Sequence, residues 1–157
     1  MTLKVLFAVV NVSLVIVYAF GSGLWVSTGG AFYRSLVRPF WQPPDWVFGI
    51  AWPYNFAVLI AAGVAVGVLA STPQRLWWTG LFAFSVVAAL LWARLFYVSQ
   101  DLPGATAALG LAGVLTVPLV VIAWQTRPWA GLVLLPYQVW LVVATSLSAG
   151  YWALNRG

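Results

Sequence analysis

The stretch YRSLVRPFWQPPDWVFGIAWPYNF, residues 33–56, holds most of the chemistry in this chain. It contains Trp41, Trp46, Trp52, Pro39, Pro43, Pro44, Pro53, Arg34, Arg38 and Asp45, and Asp45 is one of only two acids in the protein. The stretch divides in two. Residues 33–43 read as an aromatic, proline-bounded lid carrying two cations. From Pro44 the pattern becomes that of a helix. Proline suits a first helical turn, where its missing N–H has no intrahelical partner anyway. Asp45 then complements the positive end of the helix dipole. Trp52 and Phe56 are four apart and share a helical face. Pro53 removes the bond that would reach the carbonyl of Gly49, so a bend is expected there.

The sequence on either side is mostly plain and apolar. Of the 157 residues 64% are hydrophobic and 6% charged, against about 25% charged in soluble domains. So few charges cannot cover a protein with a hydrated surface, so the chain is expected to be an all-α integral membrane protein. Five apolar segments are each near the ~20 residues that span a bilayer. They fall at about 4–25, 45–70, 76–98, 103–124 and 130–154, and predict a five-transmembrane-helix bundle filling 1–157 as one multi-pass domain. The first segment is too long for a signal peptide. Residues 27–44 form the longest connection, and long ordered loops tend to carry function. The plain alternative is an interfacial belt of Trp and Tyr; it explains Trp25 better than the close series Trp41, Trp46, Trp52.

Within the first span Asn11 and Ser13 are polar and are expected to face other helices. On the second, Ala57, Ala61 and Ala65 form a small-residue ladder, and Gly63 and Gly67 a GxxxG pair that permits close helix contact. Arg94 lies near the end of the third span, where its head reaches the headgroups by snorkelling. The cations divide three against four between the two faces, so the positive-inside rule assigns no orientation.

What is missing narrows the chemistry. There is no Cys and no His, and Met1 is the only Met. Zinc sites need clustered Cys, His or carboxylates, and Asp45 and Asp101 stand apart. Of the usual haem ligands only Tyr remains, so a haem or porphyrin would be held by its faces and edges, without axial ligation. No nucleophile–base pair can be assembled. The net charge of +5 is scattered, and gives no patch for nucleic acid.

These features resemble the tryptophan-rich sensory protein / translocator protein family (TspO/MBR). Its first loop reads Tyr-x-x-Leu-x-Lys-Pro, then Trp-x-Pro-Pro-x-Trp-Val-Phe, then Trp. Here Tyr33, Leu36, Pro39, Trp41, Pro43, Pro44, Trp46, Val47, Phe48 and Trp52 match in place, with Arg38 where the family has Lys. Trp92, Leu95, Phe96, Tyr97 and Pro103 match the third-helix pattern. Pro136, Tyr137, Trp140, Ala144, Leu147, Leu154 and Asn155 match the fifth. The chain departs at Ala89 and Ser148, where the family has Asn, at Phe56 for Tyr and at Val143 for Phe. It thus resembles a divergent member with a less polar interior.

The resemblance implies a five-helix bundle, often a homodimer, with a ligand pocket between helices under the first loop. It implies porphyrins, haem and related tetrapyrroles as ligands, with no obligatory cofactor, and sensing or transport as the role. A light-dependent porphyrin breakdown is also associated with the family, through the tryptophan pair matching Trp52 and Trp140. The expected ligand-binding set is Arg38, Trp41, Phe48, Trp52, Phe56, Tyr137, Trp140, Ala144 and Leu147. Leu147, Tyr151 and Arg156 fit the loosest form of a sterol-recognition pattern, which is a weak motif. A different class remains open: a structural or interaction membrane protein with no small ligand.

Overall fold

The computed structural model describes residues 2–156. Among these, six α-helices follow one another: α1 Leu3–Thr28, α2 Gly30–Ser35, α3 Asp45–Leu69, α4 Thr72–Arg94, α5 Leu102–Thr126 and α6 Pro128–Leu154. A π-helical turn, Leu95–Ser99, extends α4. Five helical segments are long and apolar enough to cross a membrane: α1, α3, α4 with its π turn, α5 and α6. At 1.5 Å per residue, the 25 residues of α3 reach about 37 Å, longer than the ~30 Å hydrocarbon core. The fold class is the one the composition predicts.

Helix ends follow local chemistry. Ser71 and Gln74 form a capping box at the start of α4, which places that start four residues before the one expected from hydropathy. The Asp101 side chain accepts from Gly104 N–H at 3.0 Å and caps α5. At the other end of α1, the Ser27 and Thr28 hydroxyls donate to the carbonyls of Leu24 and Trp25. By bonding within their own turn they prolong the helix past the expected 25. The connection 27–44 therefore contains structure the sequence reading missed: the end of α1, then α2. Between them stands Gly29. A Cβ there would lie 2.6 Å from the Tyr97 ring and 2.8 Å from its carbonyl oxygen, so only glycine lets α2 start against the π turn.

Small residues set the helix spacing. Ala62, Ala89, Ala105, Ala112, Ala123 and Ala130 are fully buried, and where lipid gives helices no hydrophobic drive to associate, such residues allow the close packing that does. Gly63 and Gly67 pack against α1 of the same chain. A Cβ on Gly67 would lie 2.7 Å from the Ala8 nitrogen, and one on Gly63 would lie 3.0 Å from the Asn11 Cβ. That GxxxG face is thus used inside the bundle and is not free to join two copies. Asn11 is buried, as expected: its amide donates to the Gly63 carbonyl at 2.9 Å and accepts from the Thr79 hydroxyl at 3.0 Å, tying α1, α3 and α4. Ser13, by contrast, points outward. On a 3.6-residue helix it lies about 200° from Asn11, so the two cannot share a face.

Elsewhere Trp78 Nε1 donates to the Leu119 carbonyl at 3.1 Å. Thr116 and the Gly113 carbonyl hold Gln138 between α5 and α6. Arg75 is buried and donates to the Val68 carbonyl at 3.2 Å. It satisfies the negative end of α3. Arg94 is exposed at the end of its helix, where snorkelling puts it. Outside, Phe20, Phe84, Val87, Val114, Val139 and Val142 lie open, an apolar surface suited to lipid.

Candidate functional site: a lidded cavity between α1, α3 and α6

Above the bundle end that holds Asp45 and Asn155, residues 30–44 form a cover. The segment is fastened to α6 at three places. Asn155 donates to the Val37 carbonyl at 3.1 Å and accepts from Val37 N–H at 2.8 Å, closing a two-bond clamp on the lid backbone. Gly150 receives Pro39 and Trp41: a Cβ at Gly150 would lie 2.8 Å from Pro39 Cγ and 2.7 Å from the Trp41 ring. Gln42 accepts from the Tyr151 hydroxyl and donates to the Tyr33 hydroxyl, the latter at 3.0 Å. Toward α3 the lid makes one exposed ion pair, Arg38 to Asp45 at 3.8 Å. An exposed pair of this kind contributes at most ~1 kcal/mol.

Beneath the lid is a cavity of about 500 Å³, within the ~300–1,000 Å³ of small-molecule sites. Its walls are aromatic: Phe48, Trp52 and Phe56 from α3, Trp92 from α4, Phe96 and Tyr97 from the π turn, and Tyr33 and Tyr151 near the lid. The π turn brings Phe96 and Tyr97 to the cavity from the end of α4. Trp52 and Phe56 stack at 5.7 Å, as their spacing implies, and Tyr18 packs edge-on against both from behind the wall. Ala144, Leu147 and Ser148 form the back wall. Ser148, one of the departures from the family pattern, shares a 3.0 Å hydrogen bond with Thr106.

Of the expected site residues, Phe48, Trp52, Phe56, Ala144 and Leu147 line the cavity. The other four lie just outside it. Trp140 sits behind the α3 wall, edge-on to Trp52 at 6.3 Å and to Phe48 at 5.3 Å, so it backs that wall and borders instead a second hollow with Trp46, Ile50 and Pro136. Tyr137 is fully buried and does not reach the cavity wall. Trp41 is half-exposed in the clamp on Gly150. Arg38 spends its guanidinium on Asp45 and on the Tyr33 ring face, 5.6 Å from the centroid.

The cation on the cavity wall is instead Arg34. Arg34 and Arg38 were both read as cations of the lid. What separates them is that Arg34 lies in α2, a helix the sequence does not announce, whereas Arg38 follows it in extended chain. Gln42, Tyr33 and Tyr151 were missed as a set because their link spans 109 residues of sequence. Leu147 and Tyr151 border the cavity, while Arg156 packs over the Trp152 ring at 4.3 Å. The three residues of the loose sterol pattern are therefore divided between the cavity and the protein's end. Among the described residues no group of three or more His, Cys, Asp or Glu could hold a metal ion.

Five spanning helices around a lidded aromatic cavity define a multi-pass membrane protein with a ligand-sized chamber. The chain belongs to the TspO/MBR family, whose model matches residues 6–153. It is 30% identical over 129 residues to "Protein CrtK" of Rhodobacter capsulatus, covering 82% of this chain and 81% of that one. It is 28% identical over 123 residues to a "Tryptophan-rich sensory protein" of Cereibacter sphaeroides, covering 78% and 76%. To the human "Translocator protein" it is 26% identical over 139 residues, covering 87% and 82%. Two of these three carry names of sensory or translocator proteins, and none is named as an enzyme.

Proposed function

We propose that this protein is a membrane-embedded binding protein, a sensor or carrier, for a flat hydrophobic ligand such as a porphyrin, held in the cavity under the lid. The cavity carries the reading: about 500 Å³ walled by two tryptophans and three phenylalanines, with one arginine at its edge. Aromatic faces and edges give a planar ring system large apolar contact and favour offset or edge-on packing. Arg34 supplies a charge-assisted donor for a carboxylate at the ring's periphery. The names of the sensory and translocator relatives agree with binding or transport. With no His or Cys in the chain, no nucleophile–base pair stands ready for ordinary catalysis.

The test is a titration of the purified protein with protoporphyrin IX, followed by tryptophan fluorescence. Saturable quenching is expected, with Trp52→Phe reducing its amplitude and Arg34→Gln weakening affinity by about tenfold, the range for one charge-assisted bond. Quenching that rises linearly without saturation would reject the reading.

A further inference from the structure

The cavity has a side entrance, and its position follows from which lining residues are exposed. Those on α4, the π turn and α6 are buried or half-buried. The exposed ones are Gly23 and Val26 on α1, Arg34 on the lid and Asp45 in the first turn of α3. The opening therefore lies where α1 and the start of α3 meet below the edge of the lid, on the side away from α6.

The same two helices are sealed at their other end. Gly67 meets the Ala8 backbone, and Asn11 bonds the Gly63 carbonyl at 2.9 Å. Tyr18, packed edge-on against Trp52 and Phe56, fills the gap at mid-height. Beyond it α1 turns small toward α3: Ala19, Ser22, Gly23 and Val26 line the cavity at helical spacing. A Cβ added at Gly23 would meet nothing within 4 Å. The two helices thus close at one end and leave a slot at the other.

The lid, meanwhile, is held on the opposite side. Its hydrogen-bonded and packed clamps engage α6 and the residue that follows it, through Gly150, Tyr151 and Asn155, while toward α3 it has only the exposed Arg38–Asp45 pair. Opening it would break the two-bond clamp at Val37 and unseat Trp41, whereas the slot is open with the lid in place.

We infer that the ligand enters and leaves laterally, through the slot bounded by Gly23 and Val26 on one side and Asp45 and Phe48 on the other, directly from the lid-side leaflet of the bilayer. The ligand class is then a bilayer-dissolved amphiphile. Its apolar body slides between helices, and its polar end stays level with Arg34 at the headgroups. This deepens the function proposed above by naming the ligand's source, and it rests on that reading for the ligand's chemistry. The route itself is a property of the helices and can be measured without porphyrin.

The absence of cysteine makes the test clean. Ala144→Cys places a single thiol on the back wall of the cavity. In vesicles it is reacted with pyrenylmaleimide, which dissolves in the bilayer, and with a sulfonated maleimide, which stays in water. Lateral entry predicts labelling by the first reagent and little by the second. Adding Gly23→Leu, or independently Val26→Trp, slows pyrenylmaleimide labelling by about tenfold. Adding Asn155→Ala, which removes the lid's two-bond clamp at Val37, leaves the rate unchanged. Thermal unfolding of each variant establishes that it is folded, and the two slot variants back each other should one fail to fold. Acceleration by Asn155→Ala, or equal rates with the slot filled and open, would overturn lateral entry. That result would leave the porphyrin titration untouched, and a failed titration would leave the labelling rates standing.

Discussion

Arg34 and Arg38 stand four residues apart in the lid, yet only one borders the cavity. Arg38 is paired with Asp45 at 3.8 Å and lies over Tyr33, while Arg34 borders the chamber. The difference gives a paired prediction. Arg34→Gln should weaken protoporphyrin binding by about tenfold, and Arg38→Gln by less than about threefold, since an exposed ion pair contributes little. Equal losses in the two variants, measured by the same quenching titration, would show that lid charge acts at long range and not through contact. The sequence made Trp52 and Phe56 readable because both lie on one regular helix and their spacing alone fixes a shared face. Arg34 was not distinguishable from Arg38, because the choice depends on a six-residue helix that Gly29 seats against Tyr97. Trp140 belongs to the expected ligand-binding set. It stands behind Phe48 and Trp52 because the approach of α3 to α6 places the Phe48 ring between it and the cavity.

At the scale of elements, α1 and α3 depend on glycine where they touch. Gly67→Val should cost about 1–3 kcal/mol, as for other over-packed cores, because its Cβ would press on the Ala8 backbone at 2.7 Å. Gly80→Ala meets nothing within 4 Å and should be neutral, or stabilising by up to ~1 kcal/mol through helix propensity. Thermal melts in one detergent compare the two, and a Gly67→Val protein as stable as the parent would contradict the packing described. The lid clamp makes a second prediction. Asn155→Ala removes both bonds to Val37, so amide exchange should quicken across residues 36–42 and stay slow in α3 and α6. Protection unchanged in that segment would mean that Gly150 and Tyr151 hold the lid without Asn155. The five spans were legible because hydropathy and length suffice to find them. The π turn and α2 were not. One rests on a widened turn that no apolar period marks, and the other on Gly29 fitting a neighbour that follows much later in the chain.

Across the whole molecule, polarity is arranged by depth. Among the described residues Asn11, Trp78 and Gln138 are bonded between helices, while Tyr18, Asn55, Trp92, Tyr137 and Trp140 each bury a polar atom without a partner. The cavity occupies the half of the bundle nearest the lid, where five of the nine residues expected from sequence line it and the other four brace it from outside. Family resemblance pointed to this half of the bundle because its motifs are concentrated on the helices that enclose the cavity. It did not separate lining residues from bracing ones, which differ only in how neighbouring helices are rotated. The central claim is that this one chamber is the ligand site, and filling it tests that claim most directly. Ala144→Phe places a ring on the back wall, opposite the α3 aromatics. With thermal unfolding unchanged, the variant should lose saturable protoporphyrin quenching or bind at least about tenfold more weakly. Parental affinity in a folded Ala144→Phe protein would contradict the account.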